Sequence, residues 1–311
     1  MRIEDEIKLT FDDVLIRPKR STLVSRSEVV LERQFKFKHT NEIWTGVPIF
    51  SANMDTTGTF ETAITLQKHK MLTAIHKFYS IKDWEKNVEK LDPNFISVTV
   101  GQSKEDLQLG QKIFSLNSDI KYLCIDVANG YREDFINSVK NYRETFPDKI
   151  IIAGNVATRE MTEALILAGA DIVKIGIGPG SVCTTRSVAG VGYPQLSSIS
   201  ECSDAAHGLG GHVMADGGCK YPGDVSKAFG AGADYVMLGG MFAGHKESGG
   251  ELVTDEEGVQ YKDFYGMSST KAQQTYYGDL AEHRAPEGKK VRLRYKGELD
   301  KTVQSILGGM R

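Results

Sequence analysis

Cys183 lies in a glycine-rich segment, residues 176–186, that directly follows an apolar run. Three glycines and a proline occur within its first five residues, and they allow the close backbone approach that a reaction loop needs. Hydroxyl groups at Ser181, Thr184 and Thr185 can donate or relay protons, and an arginine ends the segment. Because cysteine attacks as the thiolate, these polar and positive neighbours predict a nucleophilic thiol. The segment alone leaves open a surface loop whose cysteine is incidental.

The other three cysteines are Cys124, Cys202 and Cys219, and none of the four forms a C-x-x-C pair. This spacing indicates neither a disulfide framework nor a zinc site. Cys124 falls inside a predicted strand and is expected to be buried, and we expect no catalytic role for the other two. Cys183 is therefore the cysteine with a reactive setting.

Eight short apolar runs rich in β-branched residues surround this loop in the sequence. They are residues 47–52, 72–76, 96–101, 122–127, 150–156, 172–178, 212–216 and 235–240. Segments of helical pattern lie between them, among them residues 60–69, 104–116, 132–142, 159–168, 200–208 and 223–230. Continuous apolar strands that alternate with helices predict an α/β protein with a parallel sheet. Eight such units predict a closed β/α (TIM) barrel, whose active site lies at the carboxyl ends of the strands.

One barrel accounts for most of the 311 residues, so we predict a single catalytic domain over residues 1–311. Residues 1–46 form an N-terminal extension that is expected to pack across one end of the barrel. Residues 241–290 form a long insertion after the eighth strand, with turns of a hairpin at 247–251 and 255–258. Long loops at this face of a barrel are usually lids, and a surface excursion without function is the alternative.

Polar residues and glycines mark the predicted strand ends. The polar ones are Asn53, Asp55, His76, Lys77, Asp126, Asn129 and Asn155. The pairs Gly217-Gly218 and Gly239-Gly240 follow the seventh and eighth strands, where barrels often bind phosphate through backbone amides. Either pair alone is compatible with a plain turn. Together they favour a phosphorylated ligand.

Composition excludes several classes of function. The formal charge of −3 is nearly balanced, and no basic run suggests a nucleic-acid surface. The first residues are charged and no apolar stretch reaches spanning length, which argues against secretion and membrane insertion. We therefore predict a cytoplasmic enzyme that binds neither nucleic acid nor membrane.

Four segments carry a family resemblance: residues 178–186, 215–218, 236–240 and 265–269. Together they resemble the IMP dehydrogenase and GMP reductase family, and the resemblance covers essentially the whole chain. Within the family the chain is similar to the reductases, because no room exists between the second and third strands for the paired regulatory module of most dehydrogenases. The lid also has Gln273-Gln274-Thr275-Tyr276-Tyr277 where the dehydrogenases carry an arginine-tyrosine pair that activates water.

The resemblance implies NADPH-dependent reductive deamination of GMP to IMP and ammonia through a covalent thioimidate between the cysteine and purine C2. Two alternatives stay open. One is an IMP dehydrogenase without its regulatory module. The other is a purine-nucleotide-binding barrel without catalysis, although such a module needs no thiol nucleophile.

The resemblance also implies roles for individual residues. Cys183 is the nucleophile, and Thr185 and Glu287 form the proton relay. Substrate contacts are implied for Asp216, Gly217, Gly218, Gly239, Gly240, Gly266, Met267, Ser268, Arg284 and Gly288. Cofactor contacts are implied for Ser25, Arg26, Lys77, Asp126, Val127, Ala128, Ile177 and Gly178, and Arg26 or Lys77 is the candidate partner of the NADPH 2′-phosphate. A monovalent-cation (K⁺) site is implied at Gly178, Gly180, Cys183 and Arg186, and the implied assembly is a homotetramer.

Overall fold

A computed structural model describes residues 3–276, 278 and 285–311. Its first sheet is an antiparallel hairpin of β1 (Arg33–Lys36) and β2 (Ile43–Gly46). The barrel follows, and its strands are β3 (Ile49–Ser51), β4 (Leu72–Ile75), β5 (Ile96–Val100), β6 (Tyr122–Asp126), β7 (Ile150–Val156), β8 (Ile172–Ile175), β9 (His212–Asp216) and β10 (Tyr235–Leu238). These eight strands are parallel in sequence order, and β10 closes the barrel against β3. The predicted TIM barrel is confirmed, and each strand lies within a predicted run.

Most helices of the described residues cover the outside of the barrel, whereas the sixth follows Cys183 and the ninth lies in the insertion after β10. In chain order, the helices are α1 (Phe60–Leu66), α2 (Ile81–Asn87), α3 (Lys104–Leu116), α4 (Glu133–Thr145), α5 (Arg159–Ala168), α6 (Thr185–Val188), α7 (Gln195–Gly208), α8 (Pro222–Gly230), α9 (Thr270–Tyr276) and α10 (Asp300–Met310). Local sequence sets several of their ends. Ser103 accepts a hydrogen bond from the Asp106 backbone at the start of α3, and Gly169 ends α5 with a φ of +121°.

Several helices differ from the predicted pattern, and α7 and α10 show why. Helix α7 begins five residues before the predicted position 200, because Gln195 ties its first turn to the barrel. The Gln195 amide donates to the backbone oxygens of Ile175 and Asp216, which are contacts from distant parts of the chain. Helix α10 was not predicted, and it buries Val303 and Ile306 while it packs against α8.

Strand residues alternate between the inside and the outside of the barrel. On β6, Tyr122 and Cys124 belong to the interior cluster, whereas Leu123 and Ile125 pack under the helices. The β1–β2 hairpin closes the amino-terminal end of the interior, where Trp44 packs against Tyr122. The indole nitrogen of Trp44 donates to the Asn94 backbone oxygen at 2.8 Å. This packing leaves the carboxyl ends of the strands free for a site.

The insertion after β10 contains a three-stranded antiparallel sheet of β11 (Leu252–Thr254), β12 (Gln260–Tyr265) and β13 (Lys290–Arg294). The β11–β12 hairpin turns at 255–258, as its sequence indicates. The Asp255 carboxylate accepts from the backbone of Glu257 and Val259, and Gly258 has a φ of +79°. Strand β13 was not predicted, and it returns the chain to the barrel after the lid.

Candidate active site

A cavity of about 500 Å³ opens at the carboxyl ends of the barrel strands, and we call it the main cavity. Its lining includes Asn53, Asp126, Asn155, Lys174, Cys183, Thr185, Asp216, Met267, Gln273 and Glu287. These residues come from the ends of strands β3, β6, β7, β8 and β9 and from the lid. The cavity brings together Cys183, Thr185 and Glu287. Glu287 lies more than a hundred positions after the other two in the sequence.

The loop that carries Cys183 depends on its glycines. Gly176 has a φ of +153°, and a Cβ there would lie 2.2 Å from the backbone oxygen of Asp216. Gly178 has a φ of +72°, and a Cβ there would lie 2.7 Å from Cγ of Arg186. Both positions therefore require glycine. The close approach brings the cysteine loop against the end of β9.

A chain of hydrogen bonds joins the thiol to the lid carboxylate. The Thr185 hydroxyl donates to Oε2 of Glu287 at 2.6 Å, and Sγ of Cys183 lies 3.3 Å from the same hydroxyl oxygen. Because the threonine proton is directed at Glu287, the thiol is the donor in the Cys183–Thr185 contact. This polarity can carry a proton from sulfur to the carboxylate. We call these three residues the proton relay.

Backbone pairing fixes the position of Glu287. The Thr184 nitrogen donates to the Glu287 backbone oxygen at 3.0 Å, and the Lys289 nitrogen donates to the Val182 backbone oxygen at 2.9 Å. Cys183 and Gly288 thus face each other in a short antiparallel bridge. The main chain thus aligns Glu287 with Cys183, which leaves only the side-chain torsions of Glu287 free.

The remaining thiols have a different environment. Burial raises the pKa of the Cys124 thiol to about 12 and that of Cys202 to about 11. Burial also raises the pKa of Cys219. These three side chains stay protonated near neutral pH, so they are poor nucleophiles.

Predicted phosphate-binding glycines gather in a second, smaller cavity of about 110 Å³, which we call the glycine cavity. Gly217, Gly218, Gly239 and Gly240 line it together with Ser181, Asp216 and other residues. Gly217 and Gly218 have φ values of +85° and +90°. A Cβ at Gly217 would lie 3.3 Å from the Gly180 nitrogen, so the glycine cavity adjoins the cysteine loop. Asp216 lines both cavities.

The lid residues predicted for substrate binding fall into two groups. Met267 and Ser268 line the main cavity. Gly266 and Gly288 instead bring two backbones together, since a Cβ at Gly266 would lie 2.9 Å from the Val182 oxygen and 3.2 Å from Cα of Gly288. Arg284 lies outside the described residues.

Lid helix α9 docks on the barrel through one carboxylate. Oδ2 of Asp55 accepts hydrogen bonds from the hydroxyls of Tyr265 at 2.5 Å and Tyr276 at 2.6 Å. The Tyr276 ring also stacks on Phe78, with 3.6 Å between ring centroids. Asp55 was expected at a strand end, but its partners on the lid carry no signal in the sequence.

Five of the residues predicted for the cofactor line the main cavity: Asp126, Val127, Ala128, Ile177 and Gly178. Ser25, Arg26 and Lys77 do not line it. Ser25 instead caps a short 3₁₀ turn, Arg26–Glu28, in the exposed N-terminal extension. Lys77 follows β4, and its positive charge lowers the pKa of Asp126. The cofactor role of these three residues stays a prediction.

The cation site predicted at Gly178, Gly180 and Cys183 rests on backbone carbonyls. Arg186 cannot ligate a cation through its side chain, because a guanidinium only donates. Its guanidinium instead donates to the backbone oxygens of Ile177 and Tyr193 and supports the loop. Among the described residues, no cluster of three or more His, Cys, Asp or Glu side chains suits a metal ion.

Lys174 is the residue of the cavity that the sequence did not suggest. Its only signal is a lysine within the apolar strand β8, Ile172–Ile175. Its ammonium lies among carboxylates beneath the main cavity.

Comparison with known proteins agrees with this geometry. Residues 8–311 match a family model described as the IMP dehydrogenase / GMP reductase domain. The chain belongs to this family. It is 57% identical to a GMP reductase of Buchnera aphidicola subsp. Acyrthosiphon pisum (strain Tuc7) and to a GMP reductase of Escherichia coli O81 (strain ED1a). A GMP reductase of Aeromonas hydrophila subsp. hydrophila is 56% identical. Each alignment covers 100% of this chain and 90% of the relative. These relatives indicate an oxidoreductase.

No helix in the described part of the chain is long and apolar enough to cross a bilayer.

Proposed function

We propose that this member of the family catalyses the NADPH-dependent reductive deamination of GMP to IMP and ammonia. The observation that carries the proposal is the proton relay of Cys183, Thr185 and Glu287. The relatives named GMP reductase support the choice of reaction. A nucleotide-binding module would need the glycine cavity but no relay from a thiol to an acid.

The glycine cavity is proposed to hold the GMP phosphate. Its backbone amides and small residues suit an anion, and it adjoins the cysteine loop. Asp216, which lines both cavities, is proposed to accept hydrogen bonds from the ribose hydroxyls. The purine then extends toward Cys183, with Met267 and Ser268 beside it.

The proton relay accounts for the proton that ammonia gains in the deamination step. The Cys183 thiol gives its proton through Thr185 to Glu287, and the thiolate forms a bond to purine C2. The bond between C2 and the exocyclic amine then breaks. The amine carries two hydrogens and ammonia carries three, so Glu287 returns the proton that left the thiol. The product is a thioimidate, and no further acid is required.

The cofactor is proposed to lie in the main cavity beside Cys183. Asp126 to Ala128, Ile177 and Gly178 line this cavity together with Cys183, and none of them lines the glycine cavity. NADPH, when bound, supplies the hydride that replaces sulfur at C2. The Cys183 thiolate that leaves C2 takes up a proton from solvent through the relay, because Glu287 has already given its proton to ammonia. A K⁺ ion on the loop carbonyls and a homotetramer complete the proposal.

The test is a pair of absorbance assays on purified protein. With GMP and NADPH, we expect NADPH to be consumed and IMP and ammonia to appear in equal amounts. With IMP and NAD⁺, we expect no accumulation of xanthosine monophosphate. Steady formation of that product assigns the chain to the dehydrogenases, and nucleotide binding without turnover supports the non-catalytic alternative.

A further inference from the structure

Lys174 is a buried cation between two functional carboxylates. Its side chain is 2% exposed, and its ammonium donates to Oδ1 of Asp126 at 2.8 Å and to Oδ2 of Asp216 at 3.2 Å. The third donor is directed to Oδ1 of Asn53 at 3.2 Å. All three ammonium hydrogens therefore have an oxygen partner.

The two carboxylates belong to different parts of the site. Asp126 ends β6 and lines the main cavity among the residues proposed for the cofactor. Asp216 ends β9 and lines both cavities. An amide hydrogen of Asn155 also donates to Oδ2 of Asp216 at 2.8 Å, so this oxygen is held from two sides. In the part of the chain that the structure describes, Lys174 is the side chain that hydrogen-bonds to both carboxylates.

Among the described residues, Asp126 and Asp216 have the largest charge effects on the Lys174 ammonium, and the Cys124 thiol lies close by in its neutral form. The charge of Lys77 also lowers the pKa of Asp126. Although burial opposes ionisation, the charge and hydrogen bond of Lys174 hold the pKa of Asp126 below its usual value. The pKa of Lys174 is raised, because its carboxylates outweigh the burial that would lower it.

We propose that Lys174 is a positioning residue that orients Asp126 toward the cofactor and Asp216 toward the mononucleotide, so that one buried cation serves both binding subsites. It has no free hydrogen for a substrate and acts through the two carboxylates. This inference rests on the proposed function for the identity of the two ligands. It predicts that one substitution at Lys174 impairs both subsites, whereas a substitution at either carboxylate impairs one.

Steady-state kinetics of Lys174→Met, Asp126→Asn and Asp216→Asn test this prediction. We expect Asp126→Asn to raise KM for NADPH and Asp216→Asn to raise KM for GMP, each by about tenfold or more, as is typical of a lost hydrogen bond to a charged group. Lys174→Met should raise both. In the Lys174→Met variant, the added substitution Asp126→Asn should raise KM for NADPH by less than a further factor of about two, because the two residues act as a unit. If the two substitutions raise KM by independent factors that multiply, the proposal is overturned.

Lys149 provides the matched control. It is also a buried lysine, 7% exposed, but its ammonium donates to the Ser118 backbone oxygen away from both cavities. Lys149→Met should lower stability and leave both KM values unchanged. If it raises both KM values as Lys174→Met does, general loosening of the barrel explains the effect and the proposal fails.

The pH profile separates positioning from a structural role. Without Lys174 the pKa of Asp126 rises, so the acid limb of kcat/KM for NADPH should move to higher pH by about one unit or more. A uniform loss of rate with an unmoved limb would contradict the proposal.

Unfolding measurements need no nucleotide. A double-mutant cycle of Lys174→Met with Asp126→Asn should show coupling in chemical denaturation, and its absence would overturn the pairing. If Lys174→Met does not fold, the triple variant with Asp126→Asn and Asp216→Asn should fold again, because it removes the uncompensated carboxylates. Continued failure would also overturn the pairing. If the wild type does not turn over GMP, only the proposed reaction is refuted. The double-mutant cycle in unfolding still tests the pairing of Lys174 with Asp126.

Discussion

The hydroxyl oxygen of Thr185 lies 2.6 Å from a carboxylate oxygen of Glu287, although 102 positions separate the two residues in the chain. Thr185 belongs to the cysteine loop, whereas Glu287 belongs to the returning end of the lid. The contact places Cys183 and Glu287, the proposed nucleophile and acid, in one hydrogen-bonded unit. A relay assembled in this way gains its efficiency from fixed geometry rather than from an unusual side chain.

Cys183→Ala is expected to abolish turnover while GMP binds within about tenfold of wild type, because affinity comes from the glycine cavity and the ribose contacts. NADPH oxidation and equilibrium binding of GMP measure the two effects. Cys202→Ala, at a buried thiol under the helices, is the control and should keep its activity. Residual turnover of even a few per cent in Cys183→Ala would refute the covalent mechanism.

Thr185→Val and Glu287→Gln should each slow deamination by about 10²- to 10⁴-fold, the range for lost acid–base catalysis. Both substitutions interrupt the same proton path. The rate of the double variant should therefore lie within about threefold of the rate of the slower single variant. Single-turnover release of ammonia measures the step, and independent losses that multiply would show that the two residues do not form one relay.

Gly266→Ala should lower kcat by displacing the bridge that aligns Glu287. Its new Cβ would lie 2.9 Å from the Val182 oxygen, which is closer than real Cβ contacts allow. Overpacking of this kind costs about 1–3 kcal/mol in the free energy of unfolding. Gly208→Ala is the control, because a Cβ there meets nothing within 4 Å. Thermal unfolding and kcat measure both variants, and an unchanged kcat in Gly266→Ala would show that the bridge tolerates the shift.

Stability should depend on pH through His207. Its hydrogen bond with Asp234, at 2.8 Å, raises the pKa of the imidazole in the folded state above the unfolded value. The resulting stabilisation is fully present below the unfolded pKa of about 6.5 and is lost as pH rises through the folded pKa. Urea unfolding should therefore show a larger loss of stability for His207→Gln at about pH 5.5 than at about pH 9. A loss of equal size at both pH values would mean that proton linkage plays no part.

Local patterns in the sequence were sufficient to predict the barrel and the cysteine loop. Each strand is a continuous apolar run, and the loop combines its glycines and hydroxyls within a few positions. Strand β13 and helix α10 could not be predicted, because their stability comes from distant partners, β12 and α8. Local propensity gives little information where tertiary packing decides.

The Lys174 cluster shows the same limit within the site. A lysine in a strand is usually solvated, so its sequence position suggests no special role. Only the side-by-side assembly of strands β6 to β9 brings Asp126 and Asp216, at the ends of β6 and β9, to its ammonium. Long-range charge pairing of this kind has no signature in the order of residues along the chain.

The bridge between Cys183 and Gly288 has a consequence for how the family can vary. Glu287 is held by backbone hydrogen bonds on two sides: the Thr184 nitrogen donates to its oxygen, and its own nitrogen donates to the Ser268 oxygen. We expect residues gained or lost between Ser269 and Glu287 to leave both bonds, and with them the distance from the Glu287 carboxylate to Sγ of Cys183, unchanged. Length changes in that segment would then alter which molecules enter the cavity before they alter the reaction.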